Sequence, residues 1–251
     1  MFAKIFLSLA LVFVAFSSTY GYAGVDLSVA TTLDDWNCLV NQHNTTYAII
    51  RAYRNVGALD TNSPNTLRNA YAAGVKDLGV YMFPCVQGSP YSQSKGIVCP
   101  EPEKQVLDTV KYLRENGIVL DRNLNKNTAG SDFLVANRLW LDIEDESPSK
   151  YYDPDPVKNQ EFFARFVGQL EMLRIPVGIY TTKTYWQNVM GNILGYGKYP
   201  LWYSRYDGVD SFDFFVPFAD FNECIMKQTA GDIGYCGISQ VDPDYREVET
   251  I

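Results

Sequence analysis

Residues 138–145 read RLWLDIED. Successive side chains of a β-strand point to opposite faces, so Leu139, Leu141 and Ile143 share an apolar face while Trp140, Asp142 and Glu144 point the other way. What the second face meets depends on the surrounding elements. Outward from this stretch, short apolar runs alternate with amphipathic segments. Strands are expected at Gly24–Ser28, Tyr47–Tyr53, Leu78–Pro84, Arg138–Glu144 and Val177–Thr181. Helices are expected between them, the first in WNCLVNQHN at 36–44. Ser63-Pro64 opens the next as cap and first-turn proline, and Gly74 closes it. Another runs from Glu103 to Asn116, with Val106, Leu107, Val110 and Leu113 on one face. A further helix spans Val157 to Arg174, carrying Phe163, Phe166, Val167, Leu170 and Leu173 at helical spacing, and the last covers Lys183 to Met190. Leu201–Tyr206, Cys224–Thr229 and Ser239–Tyr245 then read as strands without helices between them. Five strand–helix units followed by three strands imply an α/β fold, a closed β/α barrel with helices outside.

In that setting the second face of residues 138–145 looks into the barrel. Asp145 and Glu146 are expected to be solvated at the strand end. Asp142 and Glu144 are not so easily explained, because charge inside a barrel is expensive without a purpose. They stand at the C-terminal end of a parallel strand, where barrels of this kind place their chemistry. Asp26, between Val25 and Leu27 in GVDLS, points inward by the same parity. Asp242 in SQVDPDY is a further candidate on the last strand, with its facing left open.

Composition removes several alternatives. A chain of 251 residues with 47% hydrophobic content is too long for a disulfide-stapled miniprotein and too apolar for disorder. There is one histidine, His43, against 29 acids. A Ser-His-Asp triad would need His43 itself, and a site with two histidine ligands is excluded. His43 lies beside the sequon Asn44-Thr45-Thr46 and is expected at the surface. A net charge of −8 argues against nucleic acid as a partner and against anionic surfaces at neutral pH. No metal or other cofactor is expected.

Residues 1–23 are read as a secretory signal. Lys4 precedes an apolar run from Ile5 to Phe16, and the small residues Gly21 and Ala23 sit three and one positions before a cut ahead of Gly24. Its removal takes Lys4 and no acid, which moves the net charge to −9. Residues 24–251 then form one domain, a monomer without membrane insertion, secreted or held in a lysosomal or phagosomal lumen. Asn123–Ser131 reads as a surface loop. Of the five cysteines, Cys85 with Cys99 and Cys224 with Cys236 close short loops and are the expected bridges, leaving Cys38 over.

Clustered inward acids without histidine point to glycoside hydrolysis, in which one carboxylic acid protonates the departing oxygen and a carboxylate faces the oxocarbenium-like centre. Glu144 has the longer reach and is the expected acid; Asp142 and Asp26 are expected to stay ionised. Tyr53, Tyr81, Phe83, Tyr180, Trp202 and Tyr203 fall near strand ends, where ring faces could stack on sugar.

These residues carry a resemblance. GVDLS at 24–28, IIRAYRNVGALD at 49–60, AYAAGV at 70–75, VYMFPC at 80–85 and WLDIE at 140–144 are similar, in order, to the glycoside hydrolase family 25 lysozymes, in particular their secreted eukaryotic branch. GIYTT at 178–182, LWYSRYD at 201–207, KQTAGD at 227–232 and CGISQVD at 236–242 continue the series. The resemblance implies a flattened β/α barrel of five strand–helix units followed by three strands, and a muramidase that acts on bacterial peptidoglycan in defence or digestion. It implies Glu144 as general acid, Asp142 and Asp26 as catalytic aspartates, and Asp242 and Gln228 as substrate-binding residues. Asp242-Pro243-Asp244 departs from the family's Asp-Xaa-Asn, and Thr229 stands where a tyrosine is usual. Two other readings share the barrel: a non-catalytic glycan-binding protein, and a chitinase-like glycosidase.

Overall fold

The structure, a computed structural model, describes residues 21–121, 133–145 and 148–247. The apolar run at 5–16, the expected loop at 123–131 and Glu146 lie outside the described residues. Strand β1 (Gly21–Leu27) leads into α1 (Leu33–His43). A capping box fixes the start of α1: Thr32 Oγ1 accepts from the Asp35 N–H, and the Asp35 carboxylate accepts from the Thr32 N–H. Next come β2 (Thr45–Arg54), the short β3 (Ala58–Leu59) and α2 (Ser63–Ala72). After β4 (Asp77–Met82) there are two helices, α3 (Pro90–Lys95) and α4 (Pro102–Glu115). β5 (Ile118–Leu120) and β6 (Leu134–Ala136) pair with each other in a separate small sheet. β7 (Leu139–Asp142), α5 (Pro156–Met172), β8 (Val177–Thr181) and α6 (Lys183–Met190) follow. The chain finishes with β9 (Leu201–Ser204), β10 (Met226–Gln228), β11 (Ile233–Tyr235) and β12 (Ile238–Glu247).

The main sheet closes on itself because β1 pairs with β2 on one side and β12 on the other. The circuit runs β1, β2, β4, β7, β8, β9, β10, β12, with every neighbour parallel except around β12, which is antiparallel to β1 and β10. The five strand–helix units and three closing strands are those expected. β1 starts earlier than expected, with Gly21–Ala23 in register with Tyr245–Glu247.

Two hydrophobic layers follow from strand parity. Leu139, Leu141 and Ile143 face outward and are fully buried with Phe163, Phe166 and Leu170 of α5 and Trp186 of α6. Inside the barrel, Tyr47, Ile49, Trp140, Tyr180, Trp202 and Met226 form a second cluster. Trp140 fits there because its neighbour on β8 is glycine; a Cβ on Gly178 would come within 2.3 Å of the indole.

Three expectations about packing are corrected. On α4 the buried face carries Gln105, Val106, Thr109 and Leu113, while Leu107 is exposed. Gln105 is buried because its amide bonds to both backbone groups of Cys85 and to the Pro100 carbonyl, a polar pin that hydrophobic periodicity does not register. Leu173, the cap of α5, is exposed. The bridges are Cys38–Cys236 and Cys85–Cys99, and Cys224 is a buried thiol. Short spacing favoured Cys224 with Cys236, but the β1–β12 pairing brings α1 to the β11–β12 turn across 198 residues of sequence. His43 is half-buried and stacks on Tyr235 at 3.8 Å in the same region.

Candidate active site

The parallel strands deliver acids to one end of the barrel. Asp26 is the penultimate residue of β1, Asp142 the last of β7, and Glu144 lies two residues beyond it. β12 runs against them and supplies Asp242 and Asp244, two residues apart on one face. Asp242 sits directly opposite Asp26 in the β1–β12 register. Asp26, Asp142 and Asp244 are buried, whereas Glu144 and Asp242 are half-buried and nearer the mouth.

Gln228, at the end of β10, ties the cluster together. Its Nε2 donates to Asp26 at 2.6 Å and to Asp242 at 3.4 Å. Its Oε1 accepts from the hydroxyls of Tyr180, at 2.7 Å, and Tyr206, at 2.8 Å. The backbone N–H of Asp232 also donates to Asp242. Trp202 Nε1 donates to Asp244 at 2.8 Å. Arg51, the cation that acts on Asp142, also bridges Asp60 at 2.9 Å and donates to the Ser28 carbonyl.

Burial and mutual repulsion control the protonation of these acids. Burial pushes the Asp26 carboxyl well above the ordinary range, and the charges of Asp242 and Asp244 add to this, while the Gln228 hydrogen bond opposes it. Asp142 is raised by burial and then by Glu144, with Arg51 opposing. Burial raises Asp244 despite its bond from Trp202. Asp242 is pushed up to about 6, chiefly by burial. Burial and repulsion thus work against the expected ionisation of both Asp26 and Asp142 at once. Acids this close and this dry hold fewer charges than they have carboxyl groups.

The aromatic candidates divide. Tyr81 and Tyr180 line the barrel interior beside the acids, and burial raises both phenols. Trp202 was expected as a sugar platform; it is instead 2% exposed, packed edge-on against Tyr180 and Trp140 at 4.5 and 5.7 Å. Phe83 is half-buried with Tyr151 and Tyr152 at the side of the mouth. Tyr53 belongs to the outer core, and Tyr203 packs on Phe215, so neither joins the cluster.

Asp145 also differs from expectation. Rather than being solvated, it is buried and accepts from the backbone N–H groups of Lys150, Tyr151 and Tyr152. It anchors the segment that follows Glu144, and Tyr152 in turn donates its hydroxyl to the Asp142 carbonyl. Asp244 and Tyr206 were not among the expected site residues. Asp244 could have been found by parity, since it shares a face with Asp242; Tyr206 lies beyond β9, where parity no longer applies. Among the described residues no group of three or more His, Cys, Asp or Glu is arranged to hold a metal ion. No helix among them is long and apolar enough to cross a membrane.

Comparisons with known proteins agree with this architecture. A family model described as Lysozyme-like protein 1 matches residues 17–229. Probable GH family 25 lysozyme 5 of Dictyostelium discoideum is 32% identical over 246 residues, covering 97% of this chain and all of that one. The bacterial lysozyme of Streptomyces coelicolor shares the fold with a TM-score of 0.65 at 20% identity, over 93% of this chain and 95% of that one. The modular autolysin of Streptococcus pneumoniae, in complex with a synthetic peptidoglycan ligand, aligns over 89% of this chain and 46% of its own, with a TM-score of 0.58 at 13% identity. The chain belongs to the glycoside hydrolase family 25 lysozymes.

Proposed function

We propose that the protein is a muramidase, hydrolysing the β-1,4 bond between N-acetylmuramic acid and N-acetylglucosamine in bacterial peptidoglycan. The observation that carries this reading is the convergence of Asp26, Asp142, Glu144 and Asp242 at one barrel mouth, two of them buried. A lectin has no need of buried titratable acids. A cluster that cannot fully ionise keeps one group protonated beside another that is charged, which is what glycoside cleavage requires.

Glu144, at the mouth, transfers its proton to the departing oxygen as the bond from the anomeric carbon breaks. An ionised carboxyl of the Asp142–Asp26 pair faces the positive charge that develops there. Water completes the reaction and returns a proton to Glu144. The acidic composition suits an extracellular or lumenal setting of low pH, where repulsion between the protein and an anionic wall fades.

Glu144→Gln is expected to lower turnover of purified peptidoglycan by about 10²–10⁴. Mass analysis of the wild-type digest should find new reducing ends on muramic acid. Near wild-type clearing by the variant overturns the role of Glu144. Reducing ends on glucosamine would instead mean a glucosaminidase, cleavage of chitin oligomers in preference to muropeptides the chitinase-like reading, and binding without release of reducing ends the lectin.

A further inference from the structure

A cavity of about 910 Å³ opens at the end of the barrel opposite the carboxylates. Its walls come from the N-terminal ends of the parallel strands, including Tyr22 of β1, Tyr47 of β2 and Asp77 of β4, together with Arg246 near the end of antiparallel β12. The muramidase mechanism uses none of these residues. The volume lies in the roughly 300–1,000 Å³ range of small-molecule sites.

The chemistry of the walls limits what the cavity can hold. Arg246 pairs with Asp77 and lies over the rings of Tyr22 and Tyr47, at 5.2 and 4.4 Å. Asn137 donates to the same Asp77. Arg138 is buried, with its guanidinium 5.1 Å from the Trp140 ring. The two cations are thus held on aromatic faces and one already has a carboxylate, while Glu223 and Glu247 stand exposed at the rim. Such a site has little excess charge with which to select an ion.

What it offers is the half-buried rings of Phe212 and Phe215 beside planar polar groups, and one hydroxyl in waiting. Tyr47 is 2% exposed, and its hydroxyl has no hydrogen-bond partner among the described residues. A buried hydroxyl left unpaired is unfavourable, so a ligand that supplies a partner is rewarded. A pyranose presents apolar C–H faces and hydroxyl edges, which matches both features. We infer that this basal cavity is a second binding site, taking a short neutral saccharide that is hydrogen-bonded by the Tyr47 hydroxyl. The inference does not depend on the muramidase reading.

Cys224 makes the site testable, because this buried, unbridged thiol lines the same cavity. Its pKa is pushed up to about 12 by burial, so labelling by a neutral aromatic disulfide is slow and sensitive to access. The full chain carrying Glu144→Gln is labelled with and without cellobiose or N,N′-diacetylchitobiose. Either disaccharide should slow Cys224 labelling at least about fivefold, and Tyr47→Phe should raise the half-protecting concentration about tenfold. Phe212→Ala, at a half-buried ring of the same wall, should shift it the same way. Unchanged labelling up to the solubility limit of both sugars overturns the proposal. So does wild-type protection in both variants. Glu144-dependent digestion of peptidoglycan is measured separately, so loss of one reading leaves the other standing.

Discussion

The orientation of one carboxamide organises the acid cluster. Gln228 accepts from two tyrosine hydroxyls on its oxygen and donates to two carboxyls from its nitrogen, so reversing the amide would set its oxygen against the Asp26 and Asp242 carboxyl oxygens. Gln228→Leu should leave buried Tyr180 without its acceptor and cost about 1–3 kcal/mol in urea denaturation. Asp242 gives the cluster a pH dependence of definite sign. Its folded pKa of about 6 exceeds the ordinary 3.8, so the folded state gains from protonation below about 4 and loses that gain as pH rises through 6. Asp26, Asp142 and Asp244 are displaced the same way. Calorimetric melts should therefore give a higher Tm at pH 5 than at pH 7, and Asp242→Asn should narrow the difference. An unchanged gap in that variant would assign the effect to the deeper acids.

At the scale of elements, β7 and the segment after it carry the heaviest constraints. Trp140 occupies space that only a glycine on β8 leaves open. Gly178→Ala should destabilise the fold by about 1–3 kcal/mol or more, measurable as a lower denaturation midpoint. Asp145→Ala removes the acceptor of three backbone N–H groups beyond Glu144. It should reduce turnover as well as stability, since the segment it anchors also holds Tyr152 against Asp142; a variant with lowered Tm and full activity would separate the two roles. These elements also mark how far the residues alone can be read. Alternation located β7 and β8, and helical spacing located α5 and α6, because apolar periodicity reports which face is buried. Asp142, Glu144 and Asp26 were legible for the same reason. Asp145 was not, because its partners are backbone groups of a returning loop that has no period. Gln105 was missed likewise, its burial being justified by hydrogen bonds rather than by hydrophobicity. Trp202 was placed on the correct side of its strand but at the wrong depth, since parity fixes direction and not distance from the mouth.

At the scale of the molecule, closure is the dominant fact. Joining β1 to β12 creates the neighbourhood in which Cys38 meets Cys236, so the bridge clasps the first helix to the last hairpin. Bridging so long a stretch is expected to contribute on the order of 5 kcal/mol by restricting the unfolded chain. The double variant Cys38→Ser/Cys236→Ser should melt well below the wild type in calorimetry while retaining its activity at low temperature. An unchanged Tm would mean that barrel closure alone suffices.

The reversed direction of β12 has a consequence for tethering. β1 enters and β12 leaves at the basal end, with Gly21 opposite Glu247 in register, while Asp26 and Asp242 meet near the other end of the same pair. A linker, fusion module or solid support attached at either of those strand ends projects from the base. The acid-lined mouth then faces away from the attachment, towards whatever the tethered barrel is presented to.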